Sequence, residues 1–314
     1  MSIRPEIFYP TDLSRSKDFL EQNGYVVLGP ILSQEEIKES DKLFWEMMCH
    51  LNPKIDPKNR QTWQNTTFPG EFSTGICGYY GMAQSDYAWY FRTNPLFRQI
   101  FGFYHQVDPS QLCVSMDCLN VMFSKNNKKK SWLHRDINPS LPYGDLLSIQ
   151  GFYSRYDVEK DDSGFVCVPK SHLLSIPNKS TRKHWNPLEL DDPLIREGVK
   201  LLIPSNSLIV WNSKTVHANS VGKRDRPDLN GLPQLNRQGV YLSYWPRKNR
   251  SLDILEKKKE LYKGGQGTSH WGILAQKKLL NPRWPRNKNS NPITFLPPTL
   301  NEDGNIPNDR LSLL

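Results

Sequence analysis

The sequence has no run of about 18 apolar residues, so it contains no candidate membrane-spanning helix. Its opening, Met1-Ser2-Ile3-Arg4-Pro5-Glu6, lacks the apolar stretch of a secretory signal. Its ending, Arg310-Leu311-Ser312-Leu313-Leu314, is not the peroxisomal Ser-Lys-Leu. Cysteine is scarce. Cys49, Cys77, Cys113, Cys118 and Cys167 are scattered, odd in number and without a CxxC pair, which argues against a disulfide scaffold and against zinc. The expectation is reduced thiols in an intracellular, cytoplasmic protein. There is no internal repeat, and no helix-turn-helix, zinc-finger or RNP-like pattern. With 24 prolines and 19 glycines in 314 residues, the chain is no coiled coil or plain helical bundle. An aromatic content of 11% argues against global disorder.

Basic residues are in excess: 41 Lys and Arg against 32 Asp and Glu give a net charge of +9. That balance favours contact with anions, whether nucleic acid, an acidic metabolite or a carboxylate co-substrate; a solubilising surface is the plain alternative. The charge is spread along the chain, with small clusters at Lys128 to Lys130, Lys257 to Lys259 and Arg283 to Lys288.

The pattern predicts a helix over 13–23 closed by Asn23-Gly24, then a short strand at Tyr25 to Leu28. Ser33 followed by Glu36 reads as a capping box opening a helix to about Leu51. Residues 85–106 read as helical, with Pro95 starting a second segment. From about 113 the texture changes to short β-rich runs: Leu119 to Phe123, Leu146 to Tyr153, Phe165 to Val168, Val199 to Ile203, Ser207 to Trp211 and Val240 to Trp245. Short strands without long intervening helices suggest an antiparallel sandwich or jelly roll. Residues 251–263 read as an exposed Lys/Glu-rich helix, and the tail from Asn281 as irregular. The expected organisation is one domain: a helical N-terminal cover (1–112), a β core (113–246) and a C-terminal helix and tail (247–314).

The main chemical signal is Trp132-Leu133-His134-Arg135-Asp136. On a strand, His134 and Asp136 at i and i+2 share a face. His217 follows the buried-looking run Ser207 to Trp211. Two imidazoles and one carboxylate on one side of a metal leave open positions, as in non-haem Fe(II) oxygenases. The bland reading of His134 is a satisfied core histidine; the ordered context of strands, His-x-Asp and a later histidine favours the metal.

These motifs resemble the phytanoyl-CoA dioxygenase family of Fe(II)/2-oxoglutarate-dependent oxygenases. The resemblance covers most of residues 17–246: Phe19 to Leu28 with Ile31 to Ile37, the Trp132 to Asp136 motif, Asp162 to His172, and Ser207 to Trp211 with His217. At Lys170 the chain departs from the family's usual Pro-Gly-Ser-His, which puts that turn in question because glycine tolerates backbone angles that lysine does not. The resemblance implies a mainly β fold with an α cover on a double-stranded β-helix (jelly roll, cupin-like) core. It implies His134, Asp136 and His217 as ligands of Fe(II), with 2-oxoglutarate and O2 as co-substrates. A small molecule would be hydroxylated with release of succinate and CO2. Related halogenases lack the ligand carboxylate, so Asp136 favours hydroxylation, or demethylation or desaturation built on it.

An arginine after the distal histidine binds the far carboxylate of the oxo-acid in that family. Arg224, Arg226 and Arg237 are the candidates, and Arg237 is preferred because it directly precedes a strand. Asn120, Ser148 and Gln150 are polar strand positions that the resemblance places toward the oxo-acid. Tyr79, Gln84, Trp132 and Trp211 are candidate substrate contacts. His172 has a structural counterpart in the family, and His50, His105, His184 and His270 have no carboxylate at ligand spacing. The substrate is expected to be a small, anionic molecule. The alternatives are an oxygenase acting on nucleic acid or protein, and a β-core binding protein without turnover.

Overall fold

A computed structural model describes residues 1–64, 75–123, 132–137, 148–176, 185–277 and 294–314. The clusters at Lys128 to Lys130 and Arg283 to Lys288, His184, and residues 281–293 of the expected irregular tail lie outside the described residues; the rest of that tail is irregular but for the short helix Asn308–Leu311. The chain forms two compact units: Met1–Ile31 with Lys125–Arg224, and Leu32–Ser124 with Asp225–Leu314.

The first unit is built on two sheets. One runs in the order Ser2–Ile3, Val199–Leu201, Gly164–Cys167, His217–Ser220, His134–Arg135, Asn186–Pro187. Within this unit the other runs Ile7–Phe8, Tyr25–Leu28, Ser207–Asn212, Ile149–Ser154. Apart from the parallel edge strands Ser2–Ile3 and Ile7–Phe8, the pairings are antiparallel. The sheets face one another: the Phe165 ring of one lies 4.8 Å from the Trp211 ring of the other. Fully burying an aromatic side chain of this size contributes about 1.5–3 kcal/mol. On the first sheet's other face Leu133, Val168, Val216 and Ala218 form a separate apolar cluster. His134 and His217 are sequence neighbours of Leu133 and Val216, so strand alternation turns them to the inner face.

The helix Leu13–Asn23 ends at Gly24, whose φ of 79° is left-handed. A Cβ there would come within 2.5 Å of both His172 Nδ1 and Thr215 Oγ1, so glycine is required by space as well as by angle. The turn at Lys170 keeps a left-handed backbone despite its lysine, with φ 64°. Its N–H donates to the Asn23 carbonyl at 2.9 Å and its carbonyl accepts from Leu173 at 3.1 Å. Lysine thus holds the glycine-like turn, at a conformational cost of roughly 1–2 kcal/mol.

The second unit carries most of the helices. Gln34–Leu51 opens on the expected capping box, with Ser33 Oγ accepting from Glu36 N at 3.2 Å and Glu36 Oε2 accepting from Ser33 N at 2.8 Å. Asp86–Thr93 and Pro95–His105 are separate helices because Asn94, in an extended conformation before Pro95, caps the second. Here Arg237–Leu242, Leu119–Met122 and Ile76–Cys77 pair in that order, and Leu112–Val114 pairs with Tyr244–Pro246.

The helix Leu252–Lys263 differs from its expected exposure. Lys258 and Tyr262, one turn apart, are buried. The Lys258 ammonium donates to the Val114 carbonyl at 2.7 Å and the Gly272 carbonyl at 3.0 Å. Its long apolar stem buries readily when the charge finds such acceptors. Among the described residues no helix is long and apolar enough to cross a membrane.

Candidate metal centre

In the first unit His134 and His217 face each other across adjacent antiparallel strands. Their ring centroids lie 4.5 Å apart. Asp136 sits just past the two-residue strand His134–Arg135, in a bend rather than on the strand, and its N–H donates to the Ser213 carbonyl at 3.0 Å. One carboxylate oxygen lies 3.4 Å from His134 Nε2 and the other 3.3 Å from His217 Nε2. One ligand atom from each of the three residues lies within 4.8 Å of the other two, the one such set among the described residues.

The hydrogen bonds fix the chemistry of these atoms. His134 Nδ1 lies 2.9 Å from the Trp132 carbonyl, and His217 Nδ1 lies 2.9 Å from the Thr215 carbonyl. A carbonyl only accepts, so each Nδ1 carries a proton, and in the neutral ring Nε2 presents a bare lone pair toward Asp136. Burial, and then the neighbouring His134, push the His217 pKa down, with Asp136 only partly offsetting them. Its imidazole is therefore neutral near pH 7, the form that binds a metal. Two bare nitrogens and a carboxylate held together repel until a cation joins them. The donor set fits a divalent ion bound by two imidazoles and a carboxylate.

Aromatic rings enclose the imidazoles. Trp132 stacks on His134 at 5.0 Å with planes 19° apart. Its indole N–H donates to the Asn219 carbonyl at 2.8 Å. Trp185 approaches His134 at 5.9 Å, and Phe165 stacks on His217 at 5.7 Å. Trp211 is buried and lies 5.2 Å from His217. Expected as a substrate contact, Trp211 instead packs between Phe165 and a candidate ligand. Trp185 escaped the sequence reading; the only signal was a tryptophan beside Asn186-Pro187, the strand that pairs with His134–Arg135.

The polar strand positions lie beside the ligand carboxylate. Gln150 was expected to hold the oxo-acid, yet its Nε2 donates to Asp136 Oδ2 at 3.0 Å and to Ser213 Oγ at 3.0 Å. Ser148 Oγ lies 2.5 Å from Ser213 Oγ. Both side chains serve the hydrogen-bond chain behind Asp136. Alternation correctly placed them on one face but could not say which partner they would meet.

Apart from Arg224, the remaining candidates belong to the second unit. Arg237 opens the strand Arg237–Leu242 and is 3% exposed. Burial lowers its pKa to about 10, with Tyr241 acting the other way. Asn120 lies opposite Gly239, on the same face as Arg237, and its amide donates to the Tyr241 hydroxyl at 3.1 Å. Arg226 is also buried, its N–H donating to Asn236 Oδ1 at 2.9 Å. Arg224, in the first unit, is half-exposed and pairs with Asp162 at 3.4 Å. Tyr79 is half-buried beside Tyr80.

Gln84 is fully buried, and both ends of its amide are engaged. Its Nε2 donates to the Gln266 carbonyl at 2.6 Å, and its Oε1 accepts from Trp89 at 2.9 Å. It ties this unit's core together. The other described histidines meet other partners: His172 Nε2 lies 2.8 Å from the Glu21 carbonyl, and His105 Nε2 lies 2.8 Å from the Tyr244 carbonyl. His270 lies beside Trp271, and His50 beside the Phe295 carbonyl.

No family model and no curated relative matches the chain. Solved structures do. The epimerase SnoN, in complex with Fe3+, alpha ketoglutarate and nogalamycin RO, is 17% identical, covers 75% of this chain and 84% of its own, and gives a TM-score of 0.52. EvdO2 from Micromonospora carbonacea var. aurantiaca is 13% identical over 78% of this chain and 92% of its own, with a TM-score of 0.50. The chain therefore shares the fold of the non-haem, alpha ketoglutarate-dependent epimerase SnoN. That fold is mainly β with a helical cover, as expected for a double-stranded β-helix. At these identities the likeness is one of fold.

Proposed function

We propose that the chain is a non-haem Fe(II)/2-oxoglutarate-dependent oxygenase that hydroxylates a small molecule, with release of succinate and CO2. The observation that carries this reading is the convergence of two bare imidazole nitrogens on one carboxylate, 3.3–3.4 Å away and buried among aromatic rings. His134, Asp136 and His217 would hold the metal. Bound there, ferrous iron would supply dioxygen activation coupled to decarboxylation of the oxo-acid. SnoN was solved with Fe3+ and alpha ketoglutarate, which supports the same pair here.

The chain's own residues supply the rest. The Trp132 and Thr215 carbonyls hold the two Nδ1 protons and so aim both Nε2 atoms. Trp132, Trp185, Phe165 and Trp211 surround the imidazoles and limit water around them. Asp136 fills the third ligand position with a carboxylate, which favours hydroxylation over halogenation.

For the far carboxylate of the oxo-acid, Arg237 remains our assignment. It is rooted on a strand and buried, so its guanidinium is held rigidly and is weakly screened. Arg224, half-exposed and paired with Asp162, has neither property. The net charge of +9 supports an anionic substrate, and residues 1–314 would act as one catalytic domain.

The test is succinate release from 2-oxoglutarate under air with Fe(II), against a panel of small anionic metabolites. Release that one panel member stimulates, and that His217→Ala abolishes, is expected. Release that is equal in wild type and His217→Ala would contradict the proposal.

A further inference from the structure

We infer that Gln150 is the positioning residue of the metal centre, holding Asp136 so that Oδ1 is its donor oxygen. The inference rests on the metal-centre reading above. Asp136 lies beyond the end of its strand, and its backbone is tied by the N–H bond to the Ser213 carbonyl. That bond holds the backbone, and Gln150 holds the carboxylate through its hydrogen bond to Oδ2.

Gln150 is 4% exposed and stands directly opposite Trp211 on the paired strands Ile149–Ser154 and Ser207–Asn212. Opposed residues share a face, so Gln150 reaches the same side as the ring that packs on His217. Its two amide protons are divided between Asp136 Oδ2 and Ser213 Oγ, each at 3.0 Å. The flipped amide would set a carbonyl oxygen against a carboxylate, so the donor end is fixed by chemistry.

Ser213 closes the device. Its carbonyl accepts from Asp136 N, its N–H donates to the Ser148 carbonyl at 2.9 Å, and its hydroxyl meets both Gln150 and Ser148. One residue thus references the carboxylate to the backbone that carries it. Each oxygen faces one Nε2, Oδ1 that of His134 at 3.4 Å and Oδ2 that of His217 at 3.3 Å, but the proton donor on Oδ2 draws charge from it and leaves Oδ1 as the stronger ligand atom.

The test is Co(II) titration of the full chain, read by the visible d–d spectrum, in wild type, His217→Ala, Gln150→Met and Ser213→Ala. Methionine keeps the volume of Gln150 and removes the donor. Gln150→Met is expected to raise the Co(II) Kd about 10–100-fold and to change the band shape, as the carboxylate turns to offer both oxygens. Ser213→Ala is expected to shift both in the same direction by less, and it serves if Gln150→Met does not fold. Residues that merely pack would lower the apo unfolding midpoint and leave the spectrum alone. Wild-type band shape and Kd in both variants would overturn the role of Gln150 while leaving the centre intact. No Co(II) spectrum in wild type, or one that survives His217→Ala, would overturn the metal centre and this inference with it.

Discussion

His217 and His134 are direct cross-strand partners, and their imidazoles meet 4.5 Å apart. Because both Nδ1 protons are bonded to backbone carbonyls, both Nε2 atoms point to the Asp136 carboxylate, 3.3–3.4 Å away.

Removing either histidine of that set should remove the metal, and removing the carboxylate should weaken its binding. His134→Ala and His217→Ala are each expected to abolish Fe(II) binding and turnover. Asp136→Gly should retain weaker metal binding and lose hydroxylation. Isothermal titration with Fe(II) under argon, paired with product analysis, checks each variant.

Arg237 should matter for the co-substrate. Arg237→Ala is expected to raise the apparent KM for 2-oxoglutarate at least tenfold, the loss of a charge-assisted pair worth about 1.5–3 kcal/mol. Arg224→Ala should leave it unchanged. An unaltered KM in Arg237→Ala would remove the assignment.

Gln84 should be a stability residue. Gln84→Ala is expected to lower the unfolding free energy by about 1–3 kcal/mol, since it leaves the Trp89 indole N–H and the Gln266 carbonyl without this partner. Its KM for substrate should equal that of wild type. A changed KM with unchanged stability would restore Gln84 to the substrate contacts.

His105 should give the fold an acid limb. Burial lowers its pKa from 6.5 to about 4. The folded state keeps it neutral, while the unfolded chain takes up a proton below 6.5. Its contribution to stability is therefore whole above pH 6.5 and is lost as pH falls toward 4, by about 3 kcal/mol in all. Denaturation of His105→Gln should show a flatter slope across that window. An identical slope would contradict the assignment.

Much of this arrangement is legible in the sequence because it depends on local rules. The His-x-Asp spacing, the later histidine, the Ser33–Glu36 capping box and the break at Pro95 are each set within a few residues of themselves. Partner choice is not local. Alternation places Gln150 on a face, but only packing brings Ser213 and Asp136 to its amide. Lys258 reads as a surface charge until the carbonyls of Val114, 144 residues away, and Gly272, 14 residues on, solvate its ammonium. Trp185 has no motif of its own and gains meaning only from its nearness to His134.

The central claim is a ferrous centre that takes 2-oxoglutarate, and its most direct test is anaerobic titration of the metal-free protein with Fe(II) and then 2-oxoglutarate. The account predicts a weak visible metal-to-ligand charge-transfer band that needs both additions and is missing in His217→Ala. Absence of the band in the wild-type protein, or its persistence in His217→Ala, would contradict it.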